Sequence, residues 1–265
     1  RRTARRRKLS TKLIPELMKH ILSLALAAML TATAASAQYY PAKVGSVLKY
    51  TSQSELPEPT THTVTVTADS IWQDSGNTYV RLESHTETGT LKTVPDSYST
   101  AMSKTGDPQA PTVITLMSPE QMRELMVNTI QNELASAVQM ISPSDLEQIM
   151  AQIRPSGKLQ LTIDPTAEPE TKIPAASIRV NVATMNVSIH ISGGKVLGQE
   201  QITTPAGTFD CIKISYIMKT NMAADSLKLY YTAWYAPGIG MVKEQGCDKK
   251  GKIMEQEELV QMLRP

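Results

Sequence analysis

Thr203-Thr204-Pro205-Ala206-Gly207-Thr208-Phe209-Asp210-Cys211 sits between two stretches of alternating apolar and polar residues, and its reading decides the fold. Pro205 presets φ for a turn and Gly207 is free to take φ above zero, so Thr204 to Thr208 is a tight hairpin tip. Lys195 to Thr203 enters that tip and Thr208 to Lys219 leaves it. Ser226 to Tyr235 and Ile239 to Gly246 follow in the same spacing, with Pro237, Gly238 and Gly240 turning the chain between them. Lys252 to Met262, after the turn Asp248-Lys249-Lys250-Gly251, reads as a last strand, although Glu255, Glu257 and Glu258 would also suit a helix. The C-terminal part is an antiparallel meander, with Phe209 and Trp234 in its core. Gly238-Ile239-Gly240 is turn chemistry and not a phosphate loop, because neither a G-x-x-x-x-G-K pattern nor a βαβ context accompanies it.

Working outward, Lys43 to Gln53 is a first strand carrying Val44, Val47, Leu48 and Tyr50. Thr61 to Thr67 and Tyr79 to Glu87 alternate with period two on either side of Asp74-Ser75-Gly76-Asn77, which predicts a hairpin. One or two short strands are expected between Thr88 and Pro111, and another at Val113 to Met117. Ser118-Pro119-Glu120-Gln121 then has the residues of a helix start: a Ser cap, Pro at the first helical position and Gln three residues after the cap. Met122, Leu125, Met126, Ile130, Leu134, Val138 and Ile141 recur at helical spacing behind it. Ser144-Asp145-Leu146-Glu147 starts a second, short helix that Pro155 stops. Strands resume at Lys158 to Ile163 and in a long stretch, Ile178 to Ile191. The apolar phase of that stretch flips between Val182 and Met185, which implies a bulge or bend, and Gly193-Gly194 reads as the next turn. The expected fold is mainly β: a strongly curved antiparallel sheet or partial barrel, with a helical pair inserted at about 118–155.

The N-terminal region is of a different kind. Met18, Lys19 and His20 precede an apolar run from Ile21 to Leu30, and Ala35-Ser36-Ala37 precedes Gln38. That order is a secretory signal peptide, residues 18–37, with cleavage between Ala37 and Gln38. The run is too short to cross a bilayer, which takes about 20 apolar residues. No cysteine stands at the cleavage point, so the expected mature chain, residues 38–265, is one domain that is periplasmic or secreted, without a transmembrane anchor, and not a lipoprotein. Residues 1–17, rich in arginine, read as an upstream leader.

The segment before Gln38 holds eight of the chain's 27 basic residues and one of its 25 acidic ones. Residues 38–265 therefore carry 19 against 24, a formal charge of −5. A domain of that sign has no general attraction for phosphate backbones, which excludes nucleic acid as a partner. Catalytic, metal and cofactor-binding residues are assigned to none. In the predicted hairpin His62 and His85 stand four positions apart, about 13 Å at strand rise, too far for one zinc. Carboxylates are plentiful, yet no pair has a privileged position. Cys211 and Cys247 fall at different levels of the meander, roughly 25 Å apart at about 3.3 Å per residue, where a disulfide needs Cα atoms within about 7 Å. Two free thiols are expected.

The stretch from Thr203 to Cys211, together with Trp234-Tyr235-Ala236-Pro237-Gly238-Ile239-Gly240-Met241-Val242-Lys243, resembles the TapB-like domain of unknown function found in exported proteins of Bacteroidota. Tyr39-Tyr40-Pro41 with Val44-Gly45 and Tyr50, and Asp248 to Lys252, fit the same pattern. The resemblance covers the last 70 or so residues well and the block from Ser118 to Pro155 least. It implies an envelope β-sheet domain and implies no activity, so no functional residues are carried over.

Two functional classes remain. The first is a non-enzymatic binding module whose curved sheet and Met-rich helices enclose a lipid or other apolar small molecule, with Met122, Met126 and Ile130 as contacts. The second is a structural or interaction module for envelope proteins. A hydrolase is a distant third. Met117, Met122, Met126, Met140 and Met150 can line an apolar groove or fill core gaps, and core filling is the favoured reading.

Overall fold

The computed structural model describes residues 38–56, 58–87, 97–135, 143–182, 185–222 and 225–263. The expectations for residues 1–37, and those for Val138, Met140 and Ile141, lie outside them. Five strands come first: β1 (Val47–Ser54), β2 (Thr60–Asp74), β3 (Asn77–Glu87), β4 (Ser97–Lys104) and β5 (Thr112–Met117). Helices α1 (Pro119–Ala135) and α2 (Pro143–Ala151) follow, then β6 (Ser156–Ile163), β7 (Lys172–Ile173), β8 (Ala176–Val182) and β9 (Met185–Thr204). The chain ends in the meander β10 (Gly207–Met222), β11 (Asp225–Ala236), β12 (Gly240–Cys247) and β13 (Ile253–Leu263).

These strands do not stop at a partial barrel. The order runs β10-β11-β12-β13-β1-β2-β3-β4-β5-β6-β8-β9, and β9 pairs with β10 from Val187 to Thr204, so twelve strands form a closed antiparallel ring. Neighbours in the ring are otherwise successive along the chain, β9 and β10 meeting through the hairpin tip at Pro205-Ala206, and one long-range ladder, β13 against β1, closes it. Closure leaves no row of unpaired backbone groups at an edge of the ring. The short β7 lies outside it, beside β9.

Two local expectations are corrected. Val182 pairs with Met185, so the phase flip in Ile178 to Ile191 marks a chain reversal between two strands and not a bulge within one. Gly193-Gly194 is no turn, because β9 runs through it. Residues 193 and 194 together face a single residue of β10, a bulge, and Gly193 has φ +61°. Gly194 is needed for close approach, since a Cβ there would stand 2.8 Å from that of Ile173 on β7.

The helices form where their start signal stands. The Ser118 amide donates to Gln121 Oε1 (2.7 Å) and the Gln121 amide to Ser118 Oγ (3.3 Å), a reciprocal box that satisfies two otherwise orphaned donors. The Gln121 amide group also bonds the Tyr98 carbonyl on β4. Because every ladder is antiparallel, α1 and α2 sit at the barrel end where β5 finishes and β6 begins. The other end is crossed by the segment at Gln38. The Gln38 carbonyl accepts from Gly238, between β11 and β12 (2.7 Å), while the Tyr39 amide donates to Thr112 on β5 (3.1 Å) and the Tyr40 hydroxyl pairs with Ser103 on β4 (2.5 Å). Those strands lie on opposite sides of the ring, so the segment spans the mouth.

Candidate functional site

The interior of the ring divides by composition. Beneath α1 it is aliphatic, with Ile114, Leu116, Leu159, Leu161, Ile178 and Ile189 buried in one cluster. Across β10 to β13 and β1 it carries tyrosines and glutamates instead. Period two puts Glu255, Glu257 and Leu259 of β13 on the inner face, while Gln256 and Glu258 turn outward to Gln245 (2.7 Å) and Lys243 (2.7 Å) on β12. Glu244 of β12 stands directly opposite Glu257, and Gly246 opposite Glu255. On β11, Tyr231 faces Gly246 and Ala233 faces Glu244, and Tyr216 of β10 faces Tyr231. Ser52 of β1 faces Glu257, with the half-buried His62 of β2 next in line.

The three carboxyls are 0 %, 2 % and 0 % exposed at Glu244, Glu255 and Glu257, and among the described residues no Lys, Arg or His is buried with them. Like charges at that depth cannot all persist. Burial pushes Glu244 up to about 8, the Tyr216 hydroxyl bond pulling against it and Glu255 adding to it. Burial likewise takes Glu255 to about 7, opposed by its bond from Tyr231, and Glu257 well above the carboxylate range, with Glu244 and Glu255 adding to the shift. Tyr50, Tyr216, Tyr231 and Tyr235 are all raised, first by burial and then by these same carboxyls. Site and charge are thus one connected group.

Some of its hydrogen-bonding capacity is used. Tyr216 donates to Glu244 Oε1 (2.5 Å), Tyr231 to Glu255 Oε2, and Tyr50 to the Met241 carbonyl (3.0 Å). The Tyr216 and Tyr231 rings stack with centroids 5.1 Å apart. Four polar atoms have no partner among the described residues: the Tyr235 hydroxyl, Glu244 Oε2 and both oxygens of Glu257. Glu255 also lines a cleft of ≈ 470 Å³ at the helical end, with Gln53, Ser54, Thr60 and Met254. Among the described residues no group of three or more His, Cys, Asp or Glu is arranged to hold a metal ion.

The residues singled out from sequence lie elsewhere. Met122 and Met126 are 0 % and Ile130 is 4 % exposed, all within the continuous core. Pro205 and Gly207 (φ +142°) make the β9–β10 tip, and Gly238 and Gly240, after Pro237, the β11–β12 turn with φ +62° and +88°. Phe209 and Trp234 are buried; Trp234 donates to Glu200 (2.8 Å) and has Lys213 over its ring. Both cysteines are free, Cys211 buried and Cys247 half-buried. The histidine spacing needs correction: a bulge at Asp69 brings His85 opposite Thr65, an odd three positions from His62, so the two face opposite sides of the sheet. The acid–tyrosine group is not legible from spacing alone, because no carboxylate pair has a privileged position until strands are paired, although the segment Ile253–Leu263 does form the last strand expected of it. The alternation of Glu255 and Glu257 with Gln256 and Glu258, ending on Leu259, was the available signal.

The DUF3108-like family model matches residues 132–259, which contain most of this group. The likeness is to a family of unknown function, and the match does not name the TapB-like domain. No curated protein matches the chain. Among solved structures, a protein from Bacteroides fragilis described as exported, with a YmcC-like fold, is 16 % identical at a TM-score of 0.60, covering 88 % of this chain and all of its own. A protein from Parabacteroides distasonis described as a lipoprotein gives the same identity and TM-score, covering 87 % of this chain and all of its own. No helix among the described residues is long and apolar enough to cross a membrane. At these identities the likeness is one of fold, and this chain is similar in fold to both proteins.

Proposed function

We propose that this protein is an exported, non-enzymatic binding module of the cell envelope that encloses a small ligand inside its barrel. The observation that carries the reading is a closed twelve-strand ring whose interior holds buried polar atoms without partners. About eight strands make a barrel that side chains fill, and about sixteen leave a channel, so twelve stand between the two. An unpaired buried acceptor costs roughly 1–3 kcal/mol, which a ligand's donor recovers. The ligand that suits both halves of the interior has an apolar body and a hydrogen-bonding head, a narrower class than the purely apolar molecule expected from the helices. The signal-like segment and the fold shared with a protein described as exported support the compartment.

The test is native mass spectrometry, with organic extraction, of protein purified from the periplasm of a bacterium that exports it. A stoichiometric small molecule and an N-terminus at Gln38 are expected. A chain that is empty and stays empty on incubation with envelope extract overturns the binding role; a mature chain retaining residues 1–17 overturns the export route. One feature favours the second reading, an interaction module: Trp72, 42 % exposed, stacks on Tyr79 across the β2–β3 hairpin, centroids 5.3 Å apart. An empty barrel with a partner whose binding is lost in Trp72→Ala would establish that role instead.

A further inference from the structure

We infer that the enclosed ligand carries a cationic amine, its protonated nitrogen seated between Glu244, Glu257 and Tyr235 in the closed half of the barrel. This deepens the proposed binding role and rests on it. Two lines of chemistry converge. Glu244 and Glu257 oppose one another on adjacent strands and together present three unpartnered carboxyl oxygens, with no buried basic side chain among the described residues to answer them. The Tyr235 hydroxyl, also without a partner and 0 % exposed, is an independent orphan within electrostatic reach of both acids. An ammonium group supplies several N–H donors and a charge that favours the ionised carboxyls; an alcohol head supplies one donor and no charge, and an anionic head supplies no donor at all.

Glu255 belongs both to this cluster and to the lining of the cleft at the helical end.

Binding should also move protons. The groups facing the nitrogen's position are Tyr216 on β10, Tyr231 and Tyr235 on β11, Glu244 on β12, Glu255 and Glu257 on β13, and Tyr50 on β1. His62 on β2 stands at the same level, its basicity lowered by burial. Without a ligand, burial favours the protonated form of these carboxyls. An incoming cation stabilises the carboxylates and expels those protons, so affinity must rise with pH until the amine itself deprotonates.

The experiment is calorimetric titration of the exported protein with linear monoamines from butylamine to octylamine, each beside the alcohol of equal length, at pH 6 and pH 8. Expected are amine binding at least tenfold tighter than the alcohol's, a tenfold or greater gain from pH 6 to pH 8, and a tenfold or greater loss in both Glu257→Gln and Glu244→Gln. Glu258→Gln, on the outer face of the same strand, should match wild type and controls for general attraction to an acidic surface. Equal affinity for amine and alcohol, affinity independent of pH, or unchanged binding in the two interior variants overturns the assignment. The wild-type comparison of amine with alcohol stands even if a variant fails to fold. An extracted ligand without a basic nitrogen removes the amine and leaves the binding module, whereas a barrel that takes up neither extract nor probe removes both.

Discussion

The hydroxyl of Tyr216 donates to Oε1 of Glu244 at 2.5 Å across the inside of the barrel, from β10 to β12 over the intervening β11. This single bond ties the meander's first strand to the buried acids. It leaves the other oxygen of Glu244 without a partner among the described residues.

Stability should fall as pH rises. Glu244 moves from 4.5 to about 8 and Glu255 to about 7, so between these limits the folded state binds more protons than the unfolded one. The slope of unfolding free energy with pH is then negative: the contribution is complete below about pH 4.5 and is lost as pH climbs through 7 to 8. A shift of this size corresponds to on the order of 3–5 kcal/mol for one fully buried acid. Urea unfolding of ligand-free protein at pH 5 and pH 8 measures it. Glu257→Gln should flatten the slope, since it removes one of the buried acids whose proton uptake produces it.

Gly246 is a glycine because Tyr231 lies over it. A Cβ at Gly246 would stand 2.7 Å from Tyr231 Cε1, and that ring is fixed by its stack on Tyr216 and its bond to Glu255. Gly246→Ala should destabilise by about 1–3 kcal/mol through overpacking. It should also change the near-ultraviolet circular dichroism of the tyrosines, which a remote backbone effect would leave alone.

Met126 distinguishes a groove from a core. It is fully buried in the aliphatic cluster, so Met126→Asp should lose about 3–5 kcal/mol and cooperative thermal unfolding with it. Met126→Leu should stay within about 1.5 kcal/mol of wild type. A folded Met126→Asp protein would place this helix face within reach of water.

The thiols should react unequally. Burial pushes Cys211 up to about 12, with Asp210 and Glu200 adding to the effect, while Cys247 is half-buried beside the last turn. A disulfide-exchange reagent at pH 8 should titrate Cys247 alone in folded protein and two thiols in unreduced, denatured protein. A count of none after denaturation would mean that the two are bonded, against the register that places Cys247 opposite Tyr230 and Cys211 near the far end of β11.

Much of the local structure is written in local signals. The Ser75-Gly76 and Pro205-Ala206 tips, the Ser118–Gln121 box and the alternation along β10 to β13 each depend on a few neighbouring residues, so turn chemistry and period suffice to find them. The reversal at Val182 was misread because two paired strands and one bulged strand present the same phase flip. The bulge at Asp69 left no such mark, and the histidine register slipped by one.

What the sequence by itself determined is most of the strands, the antiparallel succession of the C-terminal meander and the two helix starts, because these follow from periodicity and caps within short windows. Closure was decided only in three dimensions. It rests on β13 meeting β1 across more than 200 positions, and no local pattern encodes which distant strands will pair. The acid–tyrosine group depends on that closure. Period two says that Glu255 and Glu257 share a face, but only a ring has an inside, and only its register sets Glu244 against Glu257 and leaves Tyr235 beside them.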